Sequence, residues 1–235
     1  MTDKDFLIDL CKRAAGMVTD DFTIKSKDEH GDLVTNFDTE IEKFIIAELN
    51  RAYPDFGIIS EEFNPNAKVG KNYFTIDPID GTVNFANGFP IWSVQVAMVR
   101  GGRTVLSVIH APKLNETYHA DETGAYLNGK KIHVSNRTIQ QGISCVRYEP
   151  MDVLKHSGIL SDEKRYFNSR RIFCASVEHA WLACGRLVLV ALPNQGIWDY
   201  LAGAFLVEKA GGFTRNDGHF CLAANNKKLL DIFPK

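Results

Sequence analysis

The chain has 235 residues, of which 45% are hydrophobic and 24% are charged, and its formal net charge is -2. These fractions are typical of globular proteins and exclude a disordered tail, a low-complexity polymer and a disulfide-stapled miniprotein. The near-neutral charge supplies no global positive field for nucleic acid or an anionic membrane, so we expect local sites to select the partners.

The cysteines and the first residues bear on the compartment. The 5 cysteines are widely spaced and form no CxxC pair, which argues against a zinc site or a complete disulfide framework and favours a reducing environment. The opening residues MTDKDFLIDLCKR are interrupted by charges and lack the apolar run of a secretory signal. The longest apolar stretch, Leu187 to Pro193, is too short to span a bilayer. We therefore predict a cytoplasmic protein with no membrane and no nucleic-acid partner.

Two amphipathic helices are predicted near the start of the chain. Apolar residues recur at spacings of three and four in two groups, Phe6, Leu10, Ala14 and Met17, and then Ile41, Phe44, Ile45 and Leu49. Thr35 followed by Asp38 resembles a capping box for the second helix, and Pro54 would stop it. The polar segment Lys25 to Asp32 is predicted to be a loop or an irregular hairpin.

From Phe56 onward the apolar spacing changes to two, which indicates strands. The predicted strands are Gly57–Ser60, Tyr73–Ile76, Trp92–Val99, Thr104–Ile109 and Glu116–Ala120. Asn128-Gly129 is a strong hairpin-turn signal. Short links between consecutive strands favour an antiparallel sheet, which the two early helices would flank.

A polar segment without periodicity, Ser135–Gly142, is the predicted boundary between two subdomains. We expect an N-terminal α+β subdomain over residues 1–138 that carries the metal-binding motifs, and a C-terminal α/β subdomain over residues 139–235. In the second part predicted helices alternate with predicted strands. The helices are Val177–Cys184 and Tyr200–Ala210, and the strands are Ile143–Val146, Leu187–Leu192 and Gly212–Thr214.

The densest chemical signal is the motif DPIDGTVNF, Asp77 to Phe85. The preceding strand would deliver Asp77 to its C-terminal end, and Asp80 and Gly81 would turn the chain into a short helix beginning near Thr82. Two carboxylates on such a turn repel unless cations hold them, and the N–H groups of Gly81 and Thr82 could seat a phosphate. Taken alone, DPxDG is more often an ordinary turn.

Three further acidic segments accompany this motif. GIISEEF places Glu61 and Glu62 directly after a predicted strand, and DLVTNFD contributes Asp38. WDYLAGAFLVEKAGG puts Asp199 at the start of an apolar helix, where an N-cap role is as plausible as a ligand role. Each segment alone also fits a solvated loop or a cap, so it is the combination that indicates a shared acidic site.

With these residues in this order along the chain, the segments resemble the inositol monophosphatase-like family of lithium-sensitive, magnesium-dependent phosphatases. The resemblance runs from Lys27 to about Asn225 and is carried by the EE loop, DPIDGT, and WDxxAG before an apolar helix that ends in Gly-Gly. It implies a mixed α+β and α/β fold, a layered αβαβα sandwich of two subdomains. It also implies an enzyme that hydrolyses a small-molecule phosphate ester and is commonly a homodimer.

The resemblance further implies a magnesium site. One Mg²⁺ would be held by Glu61, Asp77 and the main-chain carbonyl of Ile79. A second would lie among Asp77, Asp80 and Asp199, with Asp77 bridging the two. Two or three ions are expected, and Mn²⁺ could substitute for Mg²⁺. Such a site can stabilise both the attacking and the leaving oxygen of a phosphate ester.

The catalytic roles also come from the resemblance. Thr82, paired with Asp38, would orient the attacking water, and Glu61 would act beside them. Lys27 and Glu62 would support the site. The implied reaction is direct attack of water on a phosphate monoester without a phosphoenzyme, in which positioning and charge neutralisation provide most of the rate enhancement.

In the residues expected to bind the substrate, this chain departs from the family pattern. Gly81 and Thr82 would hold the phosphate through their N–H groups, and Asp80 and Asp199 would lie beside it. The family has a small glycine-containing segment before the second-domain helix, where this chain has Ser176–Ala180. That difference puts Glu178 and His179 at positions expected to face the substrate, although a lone histidine opening a helix is more often a capping or surface residue. The family's inositol-reading glutamate falls on Leu192, and losing such a polar group shifts substrate preference by orders of magnitude.

Several functions therefore stay open. Inositol 1-phosphate or a related sugar or polyol phosphate is the expected substrate, and fructose 1,6-bisphosphate, histidinol phosphate and 3′-phosphoadenosine nucleotides are alternatives. A regulatory binding protein on the same scaffold is the non-enzymatic alternative. A protein that had lost its chemistry would be expected to lose one of four acidic residues, and all of them are present: Glu61, Asp77, Asp80 and Asp199.

Overall fold

The structure is a computed structural model that describes residues 1–19, 21–26, 33–147, 152 and 168–233. Its described helices are α1 Asp3–Ala15, α2 Asn36–Ala52, α3 Thr82–Ala86, α4 Ala175–Ala183, α5 Ile197–Lys209 and α6 Lys227–Leu230, with a 3₁₀ turn at Pro112–Leu114. A two-stranded hairpin pairs β1 Ile24–Ser26 with β2 Leu33–Thr35. The predicted loop or hairpin between them falls largely on residues 27–32, which lie outside the described residues.

The larger sheet has seven strands in sequence order. They are β3 Gly57–Ser60, β4 Tyr73–Asp80, β5 Ser93–Arg100, β6 Arg103–Ala111, β7 Glu116–Asp121, β8 Gly124–Leu127 and β9 Lys130–Ile132. The neighbours from β4 to β9 are antiparallel, as predicted, whereas β3 and β4 are parallel.

The second sheet has five strands in the order β11, β10, β12, β14, β13. They are β10 Ile143–Val146, β11 Asn168–Arg170, β12 Leu189–Pro193, β13 Phe213–Asn216 and β14 Phe220–Ala224. Both β11 and β12 run parallel to β10, and β14 runs antiparallel to β12 and β13. No helix or strand forms within 135–142, the segment between the two sheets. The division into two subdomains there remains a prediction.

Apolar packing arranges these elements in five layers. Helices α1 and α2 cover one face of the seven-stranded sheet, where Leu10 and Ile41 share a core with Val96. Helices α4 and α5 lie between the sheets and pack with residues of both. Helix α6 contributes Leu230 to a third core on the far face of the five-stranded sheet. The predicted layered αβαβα sandwich is therefore confirmed.

Two local predictions about the elements can be compared with the structure. Thr35 is the N-cap of α2, with its N–H and hydroxyl 2.7 and 2.6 Å from Asp38 Oδ2, so the capping box is confirmed. The prediction that the strand ends at Ile76 is wrong, because β4 continues to Asp80. Pairing with β5 resumes there after a register shift, and such an irregularity tolerates the missing N–H of Pro78.

The thiols and the hydropathy of the helices give two further observations. All 5 cysteines lie among the described residues and are free thiols. Across the described ranges, no helix combines the length and the apolar character that crossing a bilayer requires.

Candidate active site

A cavity of about 440 Å³ opens beside the carboxyl ends of β3 and β4. Because these strands are parallel, both end at the same edge of the sheet, and the loop after β3 meets the turn after β4. The first turn of α5 also reaches the cavity. The acidic side chains lining it are Glu61, Asp77, Asp80 and Asp199. Acidic residues that lie far apart in the sequence therefore share one cavity.

Three of these carboxylates form a tight group. One oxygen from each of Asp77, Asp80 and Asp199 lies within 4.8 Å of the others. At such a separation two carboxylates repel by about 3 kcal/mol at an effective dielectric constant of about 20. Burial raises the pKa of Asp77 well above its usual range, and the charges of Glu61, Asp80 and Asp199 raise it further. Burial, followed by Asp80 and Glu61, also raises the pKa of Asp199. Cations bound beside these carboxylates would offset the repulsion and favour the charged forms of Asp77 and Asp199.

An unpaired oxygen shows that a cation fits this group. Asp77 Oδ1 is buried and has no hydrogen-bond partner among the described residues. An unsatisfied buried acceptor costs about 1–3 kcal/mol or more, and a bound cation would remove that cost. Carboxylate and carbonyl oxygens are the ligands that hard divalent cations prefer. The acidic group can therefore bind metal ions.

Gln95 on β5 aligns two of the acidic residues. Its Nε2 lies 3.2 Å from Asp77 Oδ2 and 3.2 Å from the main-chain carbonyl of Asp199. Gln95 is the cross-strand partner of Asp77, so the register of the sheet puts it there. No motif in the sequence indicates this residue, because its role depends on strand register alone.

The N-terminal end of α4 positions Asp80. The Asp80 carboxylate accepts hydrogen bonds from the N–H groups of Ala175 and Ser176, at 3.1 and 2.5 Å, and from the Ser176 hydroxyl. Free N–H groups and the helix dipole both favour a negative charge at this end of a helix. The stretch predicted to face the substrate therefore begins by holding one of the acidic residues of the cavity.

Thr82 lines the cavity, and its hydroxyl contacts the buried carboxylate of Asp38. Thr82 Oγ1 lies 3.1 Å from Asp38 Oδ1 and 2.9 Å from the main-chain carbonyl of Ile79, which also lines the cavity. Burial raises the pKa of Asp38, and the hydrogen bonds from Thr35 oppose that rise. The two residues paired by resemblance are thus in contact, and their catalytic roles remain proposals.

A buried glutamate of α2 holds the loop that carries Glu61. Glu42 accepts hydrogen bonds from the N–H groups of Glu62 and Phe63, at 2.9 and 2.8 Å. Burial raises the pKa of Glu42, whereas these N–H groups and Ser60 lower it. Glu62, predicted to support the site, therefore contributes its backbone to this contact. Glu42 precedes Ile45 by three residues and Leu49 by seven, so the helical spacing places it on the apolar face, a signal that the acidic motifs do not include.

Gly81 forms the turn between β4 and α3, and only glycine fits it. Its φ is +88°, and an added Cβ would lie 3.1 Å from the Ile91 carbonyl and 3.3 Å from Cys174 Cβ. Glycine has no Cβ and adopts positive φ without steric cost. The turn brings Gly81 and Thr82 to the wall of the cavity.

Glu178 and His179 do not line the cavity, so their predicted positions facing the substrate are wrong. Glu178 is buried and accepts hydrogen bonds from the N–H groups of Ile172 and Phe173, at 3.2 and 3.1 Å. His179 is also buried, with Nδ1 2.7 Å from the Ala175 carbonyl. Helical residues advance by about 100° each, so Glu178 points away from the side of α4 on which Ser176 contacts Asp80. His179 returns toward that side, but its side chain packs against α5, where a Cβ added to Gly203 would lie 2.6 Å from His179 Cβ.

Two other residues with predicted roles, Leu192 and Lys27, are not found at the cavity among the described residues. Leu192 is fully buried in β12 within the core shared by both sheets, so its predicted place at the substrate is wrong. The β-strand alternates its side chains between faces, and the face of Leu192 is the one that packs against α4 and α5. Lys27 lies outside the described residues.

Other residues at the cavity were not indicated by any motif. Arg147 follows β10, Phe173 precedes α4, and Gln195 lies in the link between β12 and α5. All three come from the C-terminal part of the chain, where the sequence shows no chemical signal apart from the WD motif. Only the packing of the five-stranded sheet brings them to the cavity.

Comparison with known proteins identifies the family to which this fold belongs. The model of the inositol monophosphatase family matches residues 4–229. The Thermotoga maritima fructose-1,6-bisphosphatase/inositol-1-monophosphatase is 34% identical over 193 residues, which cover 80% of this chain and 73% of that protein. The Nus factor SuhB of Xylella fastidiosa is 35% identical over 190 residues, covering 77% and 68%. The solved structure of a Thermotoga maritima IMPase superposes with a TM-score of 0.84 at 30% identity, covering 97% of this chain and 94% of that one. The chain therefore belongs to the inositol monophosphatase family and is a phosphoric monoester hydrolase.

Proposed function

We propose that the chain is a magnesium-dependent phosphatase that hydrolyses small sugar or polyol phosphate monoesters, including inositol 1-phosphate, by direct attack of water. The convergence of Asp77, Asp80 and Asp199 within 4.8 Å at one cavity carries this proposal. The buried, unpaired oxygen of Asp77 supports it. An all-oxygen site of this kind suits Mg²⁺, and Mn²⁺ could replace it.

The lining residues supply ligands for two or three ions. Glu61, Asp77 and the carbonyl of Ile79 would hold one ion, and Asp77, Asp80 and Asp199 would hold a second. Ions bound there would offset the charge of the phosphate and lower the pKa of water at the site. Gln95 and the start of α4 keep Asp77 and Asp80 in place for this role.

The protein's own residues would orient the reactants. When Thr82 donates its hydroxyl proton to Asp38, the lone pairs of Oγ1 can accept a hydrogen bond from the attacking water. The N–H groups of Gly81 and Thr82, at the start of α3, have no acceptor within the helix and would hold the phosphate. Asp80 and Asp199 would contact the substrate beside it. A bond forms between the water oxygen and phosphorus, the ester P–O bond breaks, and the alcohol leaves with a proton.

The names of the relatives differ and do not identify the substrate or the partners of this chain, so experiments must identify both. One relative is named for both fructose-1,6-bisphosphatase and inositol-1-monophosphatase, so both substrates belong in the assay beside histidinol phosphate and 3′-phosphoadenosine nucleotides. Another is named Nus factor SuhB, so the absence of a nucleic-acid partner stays a prediction. Lithium sensitivity and a homodimer are further predictions from the family resemblance, and a cytoplasmic location is a prediction from the cysteines and the opening residues.

Phosphate release from about twenty monoesters, with Mg²⁺, with Mn²⁺, with added Li⁺ and without metal, tests the proposal. We expect Mg²⁺-dependent turnover that Li⁺ inhibits. Asp80→Asn and Asp199→Asn should each lower kcat/KM by about 100-fold or more, because an ion contributes several kcal/mol to the transition state. Asp55→Asn, at an exposed aspartate away from the cavity, is the matched control. Near-normal turnover in either cavity variant, or no hydrolysis of any ester, would contradict the proposal.

A further inference from the structure

The cavity contains a cation and an aromatic ring that the hydrolytic chemistry does not use. Arg147 and Phe173 both line it, together with the acidic group. The guanidinium carbon of Arg147 lies 5.2 Å from the centre of the Phe173 ring, a cation–π distance. Among the described lining residues Arg147 is the only one with a positive charge.

The guanidinium of Arg147 has donors left for a ligand. Its closest carboxylate contact among the described residues is to Glu178, at 3.5 Å from Nη2, and Nη1 lies 3.5 Å from Gln195 Oε1. Strong charge-assisted hydrogen bonds are about 2.7–2.9 Å long, so both contacts are loose. Arg147 Nε is buried and has no partner among the described residues. The side chain is only 15% exposed, so the donors left over lie in a largely enclosed space.

The backbone under the ring adopts an uncommon conformation. Phe173 has a φ of +57°, in the left-handed region that bulky residues rarely adopt. Glu178 holds it by accepting hydrogen bonds from the N–H groups of Phe173 and Ile172. Asn84 adds a hydrogen bond of 2.8 Å from Nδ2 to the Ile172 carbonyl. Strained residues persist where their surroundings hold them firmly, and they concentrate at ligand sites. The result is a large ring, 46% exposed, at the cavity beside Arg147.

The charge and the shape of this part of the cavity determine which chemical groups it can bind. A planar guanidinium matches a phosphate or a carboxylate through two parallel hydrogen bonds, and stacking on a ring keeps it oriented. Cavities of about 300–1,000 Å³ accommodate small ligands, so the observed 440 Å³ has room for a sugar that carries two phosphates. Burial, opposed by Arg147, raises the pKa of Glu178 to about 7. Near neutral pH this counter-ion is therefore only partly charged, which leaves more of the positive charge to a ligand.

We propose that Arg147, supported by Phe173, forms a subsite for a second anionic group, so that the enzyme prefers a sugar bisphosphate to the monophosphate of the same sugar. This inference rests on the proposed function, because the reacting phosphate must first be held at Gly81 and Thr82. It goes beyond that function because it predicts that the alcohol part of the substrate carries a second anionic group.

Fructose 1,6-bisphosphate and fructose 1-phosphate form a matched pair of probes, since they differ only in the second phosphate. In the wild-type enzyme with Mg²⁺ we expect kcat/KM to be at least about 10-fold higher for the bisphosphate, mainly through KM. Arg147→Gln should reduce that ratio to about 2 or less and change kcat/KM for the monophosphate by no more than about 2-fold. Arg147→Lys, which keeps the charge without the planar fork, should give an intermediate ratio. Arg103→Gln, at an exposed arginine on β6, serves as the control.

A second variant keeps the test decisive if Arg147→Gln does not fold. Glu178→Gln retains an oxygen acceptor for the two N–H groups but removes the counter-ion of Arg147, so the bisphosphate preference should rise by about 2- to 5-fold. Hydrolysis of both probes without preference, or an equal loss on both in Arg147→Gln, overturns the subsite and leaves the phosphatase standing. Hydrolysis of neither these probes nor any other monoester overturns the proposed function, and the subsite with it.

Discussion

Thr82 Oγ1 and Asp38 Oδ1 lie 3.1 Å apart, although the two residues are separated by 44 positions in the sequence. One belongs to the first turn of α3 and the other to the first turn of α2. The other oxygen of Asp38 is occupied by the hydroxyl and the N–H of Thr35. A helix cap thereby fixes the carboxylate that in turn orients the threonine hydroxyl.

If this hydroxyl orients the attacking water, its removal should slow the reaction without weakening substrate binding. We expect Thr82→Val to lower kcat by about 100-fold, because small errors in position cost about that much. KM should change little. Thr82→Ser keeps the hydroxyl and should retain at least about a third of wild-type kcat. Steady-state kinetics on the best monoester measure both values, and a change confined to KM would assign Thr82 to binding instead.

The same carboxylate should contribute measurably to stability. Asp38→Ala removes the acceptor for the Thr35 N–H and leaves the Thr82 hydroxyl without one of its partners. Loss of a cap costs about 0.5–2 kcal/mol, and a buried donor left unsatisfied costs about 1–3 kcal/mol. We expect a fall of about 2 kcal/mol in the free energy of unfolding, measured with urea. Thr2→Ala, at the exposed N-cap of α1, should lower the free energy of unfolding by less than about 1 kcal/mol in the same measurement. Equal losses would mean that burial adds nothing to the Asp38 cap.

Metal binding and pH should be linked through the acidic group. The pKa values of Asp77 and Asp199 are raised in the folded chain, chiefly by burial. A carboxyl with a raised pKa binds its proton more tightly when folded, so the metal-free protein should lose stability as pH rises above the unfolded value of about 4. Metal ions need the deprotonated form, so Mg²⁺ affinity should rise over the same range.

Thermal unfolding in EDTA and in Mg²⁺ between pH 5 and pH 8 measures this linkage. We expect the increase in Tm produced by Mg²⁺ to be small at pH 5 and larger at pH 8. Asp77→Asn should flatten the dependence in EDTA and remove most of the increase in Mg²⁺. A Tm increase that is independent of pH would argue against proton competition at these carboxylates.

Gly81 offers a test of the turn that leads into α3. Gly81→Ala should lower the free energy of unfolding by about 1–2 kcal/mol from the left-handed backbone alone. Contact of the new Cβ with the Ile91 carbonyl should add to that cost and displace the turn, lowering kcat/KM by more than about 10-fold. Gly102→Ala is the matched control, since its φ is +77° and an added Cβ would meet nothing within 4 Å. Equal effects of the two changes on activity would show that packing around Gly81 is unimportant.

Features that depend on a few consecutive residues could be predicted from the sequence. The Thr35 cap and the Asn128-Gly129 hairpin are confirmed, and the latter has φ values of +49° and +78° as such a turn requires. The end of β4 could not be predicted this way. Whether Asp77 continues a strand is decided by its pairing with Gln95 on β5, which local propensity does not encode.

The sequence by itself determined the acidic set, the glycine that turns the chain beside it, and most helices and strands, because motifs and hydrophobic period are carried along the chain. The layered arrangement was expected only through the family resemblance that those motifs carry. The tertiary structure alone decided which side chains face the cavity. Glu178 and Leu192 turned inward because the face that each presents is set by how α4 and β12 pack between the sheets. Arg147 came to the cavity through the placement of β10 in the second sheet. Direction and register depend on contacts between distant segments, which no local pattern contains.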